Sequence, residues 1–310
     1  MPSVFILSTG ADTGGFGINS KRALDRHTDW KARSMHTTLN YIRYPIDMIW
    51  NATMAQKMFD AADVVQLRND LAGWRMFGRG TDKPMLLHHH GTIYRNTHAR
   101  LWAEAEALGA VQTASTLDLT MLEPNVRWLP MPYDLDVLRT IRAGAQQRNA
   151  AIRIAHAPTN RPLKQTGVLL AAVEIVRRKH PVELILIEGK PHAECLRRKA
   201  DADIFFDQLH MGYGNNAIEA MAMGIPVISG ALDPNVTKLM RRTWGQLPYE
   251  HATPGTLAKV LLTLVESADA RAEVAARGTA HVERYHADAA VAPLLVELYG
   301  AAMSRRRAAA

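Results

Sequence analysis

The segment from residue 207 to residue 228 has residue types and spacing that could bind an anion. Gly212 and Gly214 open a glycine-rich loop that runs into a helix-forming stretch, and Glu219 lies in the first turn of that helix. Backbone N–H groups at a helix start attract an anion such as a diphosphate. The Glu219 carboxylate could accept hydrogen bonds from a ribose diol, although the helix dipole also favours a glutamate there for structural reasons alone. The segment therefore predicts a nucleotide site, with a capping glutamate as the alternative.

A second candidate group follows the strand predicted at residues 152–155. Arg161 and Lys164 lie three positions apart in a proline-interrupted loop that also carries Asn160, and a helix is predicted from residue 167 to residue 179. Two cations beside a helix start can hold a diphosphate. The alternative is a pair of surface cations without a ligand.

The first segment resembles the donor-site motif of family-4 (group 1) glycosyltransferases, which have the GT-B fold. The positions that fit the motif are Gly212, Tyr213, Gly214, Glu219, Ala220, Met221, Ala222, Gly224, Pro226 and Val227. Met211 stands where the family often has its first glutamate, and Asp207, Gln208 and Leu209 are similar to a subset that lacks it. The loop with Arg161 and Lys164 resembles the family's arginine and lysine-glycine-threonine element, with Gln165 where glycine is usual.

The resemblance implies roles for these residues. Arg161 and Lys164 would act on the donor diphosphate, and Glu219 on the ribose. The other implied donor contacts are Gly212, Tyr213, Gly214, Asn215, Asn216 and Asn160.

Glycines after the first predicted strand form another candidate site. Gly10, Gly14, Gly15 and Gly17 do not have the spacing of a dinucleotide-binding loop. The resemblance implies that Gly14 and Gly15 face the donor phosphates. The alternative is a tight turn from strand to helix.

Three consecutive histidines, His88, His89 and His90, suggest a metal at first sight. On a strand only the first and third would share a face, and no acidic or cysteine partner follows at ligand spacing, so we predict no metal site. The segment is similar to the family's histidine-glycine turn. That similarity implies that His90 reaches the transferred sugar and that Thr92 and Arg95 are weaker acceptor-side candidates; a hydrogen-bonded structural histidine is the alternative.

Short apolar runs alternate with helical stretches along the whole chain, which predicts parallel sheets with helices on both faces. The polar stretch at residues 143–149 is interpreted as a linker. We therefore predict an α/β protein of GT-B type with two Rossmann-like doubly wound domains facing across a cleft. The predicted parts are an acceptor domain at 1–145, a nucleotide-sugar donor domain at 150–286, and a terminal helix at 287–303 that packs back on the first domain.

Composition narrows the class of protein. The single cysteine, Cys195, excludes an internal disulfide, and neither a leader peptide nor an apolar run long enough to span a bilayer is visible, which favours the cytoplasm. The net charge is +7, and the three arginines at 305–307 lie in a tail that we expect to be disordered.

These features together predict a glycosyltransferase, hexosyltransferase-like, that moves a sugar from a nucleoside-diphosphate sugar to a hydroxyl acceptor. UDP or GDP is the expected nucleotide, with no further cofactor and no metal, and the resemblance implies retention of anomeric configuration. The acceptor could be a glycan, a lipid, a protein or a modified DNA base, so contact with a membrane surface or with nucleic acid stays open. A nucleotide-sugar epimerase or a non-catalytic nucleotide-sugar binding protein would also fit these features.

Overall fold

The structure is a computed structural model that describes residues 1–10, 12, 14–145 and 151–309. The chain divides into two compact units: unit 1 is Met1–Tyr133 together with the segment from Tyr285 onward, and unit 2 is Asp134–Arg284. The division thus falls after Tyr133, and residues 134–145 group with unit 2 instead of the first domain. The predicted linker at 143–149 lies partly outside the described residues.

The strands alternate with helices as the sequence pattern predicts. The strands of unit 1 are β1 (Ser3–Ser8), β2 (Lys31–His36), β3 (Met48–Ile49), β4 (Val64–Arg68), β5 (Met85–His89), β6 (Val111–Ala114) and β7 (Arg127–Trp128). Those of unit 2 are β8 (Ile152–His156), β9 (Val182–Leu186), β10 (Ile204–Phe206), β11 (Met211–Gly212), β12 (Val227–Ala231) and β13 (Glu250–His251).

The helices pack on both sheets. They are α1 (Phe16–His27), α2 (Ala52–Ala61), α3 (Ala72–Phe77), α4 (Gly91–Ala107), α5 (Leu135–Ala143), α6 (Thr166–Arg177), α7 (His192–Ala200), α8 (Asn215–Ala222), α9 (Pro234–Trp244), α10 (Leu257–Glu266), α11 (Ala268–Tyr285) and α12 (Asp288–Ala309), with a 3₁₀ helix at Leu117–Met121. None of the helices in the described part of the chain combines the length and the apolar character that crossing a bilayer requires.

Within its described residues, unit 1 contains a seven-stranded sheet in the order β3-β2-β1-β4-β5-β6-β7, and every pair in it is parallel. Phe5, Val65 and Leu87 of the central strands are buried in its core. Such near-continuous apolar strands are typical of a parallel sheet that is covered on both faces. Because the strands run in one direction, Arg68 lies opposite His88, and the polar residues that end the strands gather at one edge.

The described residues of unit 2 form a six-stranded sheet in the order β11-β12-β10-β8-β9, with β13 pairing beside β12. The short β11 is antiparallel to β12, and the other pairs are parallel. Phe206 lies opposite both His156 and Ile228. The loops that follow β8 and β10 therefore leave the sheet side by side, which places the segments after residues 156 and 206 next to each other.

The terminal helix α12 packs on α1 and on strands β4, β5 and β6 of unit 1. Its Tyr299 is fully buried and donates a hydrogen bond to Oε1 of Gln66 at 2.5 Å. The tail expected to be disordered is helical through Ala309. Arg305 pairs with Glu106 at 2.7 Å and Arg306 with Asp82 at 2.5 Å, so ion pairs hold the end of this helix to unit 1.

Candidate functional site

In unit 2, the loops after β8 and β10 bring Lys164 to the start of helix α8. The Lys164 ammonium lies 2.9 Å from Oδ1 of Asp207, and Oδ2 of Asp207 accepts the backbone N–H of Gly214 at 2.7 Å. Gly214 is the residue that precedes the first turn of α8. A methyl group at Gly214 would lie 3.5 Å from Lys164 Nζ. The cation, the helix start and the carboxylate are therefore direct neighbours. Asp207 has no functional role in the sequence prediction, which treats it only as part of a motif.

Arg161 lies in the same loop but has a different partner. Its guanidinium forms two hydrogen bonds with the Glu188 carboxylate, at 2.7 and 2.5 Å, and its side chain is 54% exposed. Hydrogen bonding to Glu188 raises the pKa of Arg161 and lowers that of Glu188. An exposed pair of this kind is weak and can exchange its partner for a ligand.

His156 fixes the loop that carries both cations. Its Nδ1 is 2.9 Å from the carbonyl oxygen of Phe206, and its Nε2 is 2.9 Å from Oγ1 of Thr166 at the start of α6. Burial lowers its pKa to about 4, so the ring is neutral at pH 7. Gln165 precedes α6 with φ of +53°, the left-handed backbone that glycine adopts most easily. Glycine would adopt this backbone at a lower cost than glutamine does.

Glu219 is not exposed to solvent. It is 1% exposed, and its carboxylate contacts the Nζ atom of Lys199, which is itself fully buried, and Nε2 of His192 at 2.8 Å. Burial opposes ionisation of Glu219, but Lys199 and His192 outweigh it and hold the pKa of Glu219 at about 2. His192 retains 17% of its side-chain exposure. The carboxylate expected to meet a ribose is thus an internal group, and His192 is its partly exposed partner.

The remaining residues of the glycine-rich motif serve the packing of unit 2. Tyr213 is 5% exposed, and its hydroxyl is 2.8 Å from Nε2 of His281, so its side chain supports the loop and does not face outward as a donor contact would. Gly212 has φ of +87°, and Oγ of Ser229 donates to its carbonyl at 2.7 Å. Glycine is required there by the backbone conformation.

Three asparagines predicted as donor contacts lie around the same loops. Nδ2 of Asn216 donates to the Ala157 carbonyl at 2.9 Å, and its Oδ1 accepts from Lys199, so its side chain links α8 to the loop after β8. Oδ1 of Asn160 accepts the Leu163 N–H at 2.9 Å and shapes the turn before Lys164. Asn215 is the first residue of α8.

In unit 1, a buried ion pair lies at the carboxyl edge of the sheet. Oδ1 of Asp12 is 2.6 Å from the Arg68 guanidinium, and Oδ2 accepts the Gly17 N–H at 2.7 Å in the first turn of α1. Gly15 precedes that helix with φ of +69°, and a methyl group there would overlap the Tyr44 ring. Gly14 lies next to it at intermediate exposure. The glycines therefore permit a close turn, and the Asp12–Arg68 pair is a charged centre that the sequence prediction missed.

Histidines surround this ion pair. The His88 ring stacks on Phe16 at 4.0 Å, and the His90 ring meets His88 edge-on at 4.3 Å. Burial, followed by the neighbouring His88 and Arg68, lowers the pKa of His90 well below its ordinary value. Nε2 of His90 and both ring nitrogens of His36 have no hydrogen-bond partner among the described residues. Neutral rings with unpaired nitrogens can accept a hydrogen bond from a hydroxyl group.

The two acceptor-side candidates, Thr92 and Arg95, have different environments. Thr92 is exposed in the first turn of α4. The Arg95 guanidinium is bound to the Asp118 carboxylate, with Nη2 at 2.5 Å and Nε at 3.0 Å. Arg95 therefore fixes the 3₁₀ helix to α4 in this structure. Histidine, cysteine and acidic side chains do not cluster as metal ligands anywhere in the described residues.

The sequence itself matches no protein-family model and no curated protein. Solved structures nevertheless resemble the chain over nearly its whole length. An α-glucosyltransferase in complex with UDP and a 13-mer DNA has a TM-score of 0.70 at 8% identity, covering 97% of this chain and 100% of that one. HepE of Anabaena in complex with UDP and glucose has a TM-score of 0.70 at 12% identity, with the same coverage.

A third similar structure is the N-terminal domain of a trehalose-6-phosphate phosphatase from Candida albicans, with a TM-score of 0.65 at 10% identity and 97% of each chain covered. Identities this low establish a shared fold and leave the activity to be argued from the site. The chain therefore has the α/β fold with parallel sheets that GT-B glycosyltransferases share.

Proposed function

We propose that the protein is a glycosyltransferase that moves a sugar from a nucleoside-diphosphate sugar to a hydroxyl acceptor. The proposal rests on one observation: at the carboxyl edge of the unit 2 sheet, the Lys164 ammonium lies beside Gly214 and the start of α8. A cation beside a helix start is suited to a diphosphate. The likeness to structures solved with UDP supports UDP as the nucleotide, with GDP as the other choice.

The donor is assigned to unit 2. Lys164 and Arg161 hold the diphosphate, and Arg161 leaves Glu188 to do so. Glu219 is buried and forms a hydrogen bond with His192. We therefore assign the ribose contact to this pair, through its more exposed member, His192. The backbone N–H of Gly214, which donates to Asp207 in this structure, and that of Asn215 complete the anion site.

The acceptor is assigned to unit 1. We assign His90 to the transferred sugar, Gly14 and Gly15 to the donor phosphates, and Thr92 and Arg95 to the acceptor. The lone Cys195 fits a reducing compartment, and we place the reaction in the cytoplasm.

The chemistry requires stabilisation of the leaving diphosphate. The bond from the anomeric carbon to the donor phosphate oxygen breaks while a bond to the acceptor oxygen forms, and the acceptor proton passes to the phosphate oxygen. Cations and helix N–H groups that are already oriented stabilise such charge strongly, so we assign this work to Lys164 and Arg161 without a metal. The resemblance to family-4 glycosyltransferases implies retention, and since Met211 offers no carboxylate for a double displacement, we propose attack on the same face as the retaining route.

Thermal unfolding with UDP, GDP, ADP, TDP and NAD tests the donor site. A ligand at 100 times its dissociation constant stabilises the folded chain by about 2.7 kcal/mol, which shifts the midpoint measurably. We expect one nucleoside diphosphate to raise the midpoint of the wild type and not that of the Arg161→Ala, Lys164→Ala double variant. A double variant of surface cations at the end of α6, Arg177→Ala with Lys179→Ala, should keep the shift. Stabilisation by NAD alone, or by none of the five, contradicts the proposal.

Transfer to a modified DNA base is the second candidate. The net charge of +7 favours a polyanion, and similar α-glucosyltransferases were solved with DNA. Binding to phosphates releases counterions, so affinity for a short duplex should fall steeply with salt concentration. Fluorescence anisotropy at several salt concentrations measures this, and weak binding that does not depend on salt excludes DNA as the acceptor.

A further inference from the structure

Asp207 is a buried carboxylate placed against the residues assigned to the donor diphosphate. It follows directly after β10, and its side chain is 1% exposed, whereas the side chain of its partner Lys164 is 15% exposed. Burying a carboxylate is unfavourable unless it is paired and hydrogen-bonded. Asp207 meets both conditions through Lys164 and the Gly214 N–H.

The contacts leave part of the Lys164 ammonium available. An ammonium has three N–H donors, and Asp207 takes one of them. The Nζ atom lies close to the space beside the Gly214 Cα atom, where no side chain is present. Asp207 thereby aims Lys164 at the start of α8.

The same carboxylate is an anion beside an anion site. It occupies a backbone N–H and a cation, both of which a diphosphate would also use. Like charges a few ångströms apart repel at a partly buried site, where solvent screens them little. Asp207 therefore lowers the affinity for a diphosphate while it orients the cation that binds it.

We propose that Asp207 is a positioning residue that holds the Lys164 ammonium at the start of α8 and, as a fixed anion, weakens the binding of the diphosphate product so that it can leave. This inference rests on the donor site proposed above. It assigns to the loop after β10 a role in orienting Lys164 and releasing product, which the glycine-rich motif alone does not indicate.

Calorimetric titration with UDP tests the inference through the variant Asp207→Asn, which keeps the shape of the side chain and removes its charge. UDP should bind about five- to tenfold more tightly, as expected when one neighbouring like charge is removed. A purely structural role would give weaker binding together with a lower unfolding temperature. The control is Asp203→Asn: Asp203 lies at the other end of β10, where it accepts the Arg153 N–H at 2.8 Å, and its loss should leave UDP affinity unchanged.

A double-mutant cycle identifies Lys164 as the partner. In a Lys164→Ala background, Asp207→Asn should tighten UDP binding by more than it does in the wild type, because the carboxylate then repels the diphosphate without the ammonium that neutralises it. If Asp207→Asn does not fold, Asp207→Glu decides. This variant keeps the charge and displaces the ammonium, so UDP binding should weaken, and unchanged or tighter binding overturns the inference.

The outcomes separate the two proposals. A wild-type protein that binds UDP, with an Asp207→Asn variant that binds it equally or more weakly, overturns the role of Asp207 and leaves the donor site standing. A wild-type protein that binds no nucleoside diphosphate overturns both.

Discussion

Two side chains in unit 2 have environments that single substitutions can test. Gln165 adopts a left-handed backbone, and its side-chain oxygen is buried without a hydrogen-bond partner among the described residues. Glu219 is a buried carboxylate that is held ionised by Lys199 and His192. The strained backbone of Gln165 should therefore lower the stability of the protein, and the ion pair of Glu219 should raise it.

Replacing Gln165 with glycine should stabilise the protein. A left-handed conformation costs a residue with a Cβ atom about 1–2 kcal/mol, and the greater chain entropy of unfolded glycine offsets part of that, which leaves a gain of about 0.5–1 kcal/mol. Urea unfolding measures it. Gln165→Ala is the control, because it removes the same side-chain oxygen but keeps the strained backbone; equal stability of the two variants would contradict the explanation.

Glu219→Gln should destabilise the protein by about 3–5 kcal/mol at pH 7, because it leaves the Lys199 ammonium buried without its counter-charge. The folded-state pKa of Glu219, about 2, lies below its ordinary value of 4.5. Its stabilising effect is therefore complete above about pH 4.5 and is lost as the pH falls toward 2.

The difference in stability between wild type and Glu219→Gln should accordingly shrink as the pH falls from 5 to about 3. Urea unfolding at several pH values measures it. Glu194→Gln on the exposed side of α7 is the control, since Glu194 pairs with exposed Arg198 and Lys190, and it should cost less than about 1 kcal/mol. A difference that stays constant with pH would show that folding does not lower the pKa of Glu219.

How far the sequence could predict the site is clear from individual residues. Residue types and spacing brought Lys164 and the start of α8 together as candidates, because both follow predicted parallel strands. The contacts of Asp207, Lys199 and His192 could not be predicted, because each of these residues contacts a residue that is distant in the sequence. The local sequence pattern around each of them also does not show that its side chain is buried. The burial of the Tyr213 ring could not be predicted for the same reason, because a motif does not tell whether a ring points into the core.

At the scale of elements, apolar runs predicted the central strands and several helices. β8 coincides with the strand predicted at residues 152–155 to within one residue, and α6 coincides with the helix predicted at residues 167–179 to within two. β2 was missed because Lys31–His36 contains mostly polar residues, of which Ser34 and His36 are buried at the strand end. The pairing order of the strands depends on contacts between distant segments, which periodicity cannot supply.

Helix α12 should contribute strongly to the stability of unit 1. Leu295 is fully buried on the helix, whereas its neighbour Leu294 is 36% exposed. Leu295→Ala should cost about 2–5 kcal/mol by leaving a cavity, and Leu294→Ala, as the matched control, should stay within about 0.5 kcal/mol. Thermal unfolding measures both, and equal effects would mean that α12 does not pack on unit 1 as described.

At the scale of the whole molecule, unit 2 is an insertion into unit 1. The chain leaves unit 1 after Tyr133 and returns at Tyr285. The two crossings touch, because Tyr133 N–H donates to the His286 carbonyl at 2.7 Å and Asp288 N–H donates to the Tyr133 carbonyl at 3.0 Å. Each unit has its own core of buried apolar residues.

This connectivity predicts how fragments fold. Residues 134–284 should unfold in one cooperative transition on their own, and residues 1–133 should not, because they lack α12. Joining residues 1–133 to residues 285–310 through a short glycine-serine linker should restore a cooperative transition, since the two ends are adjacent. Circular dichroism during heating measures all three, and a stable 1–133 fragment would contradict the role of α12.

The late position of α12 also has a consequence during synthesis. The seven-stranded sheet of unit 1 is synthesised before unit 2, but the helix that covers part of it is synthesised after unit 2. At about 5–20 residues per second, unit 2 takes on the order of ten to thirty seconds to translate. Throughout that interval the apolar surface that later meets Leu295 and Tyr299 has no cover, so the nascent chain presents a binding site for chaperones that the finished protein lacks.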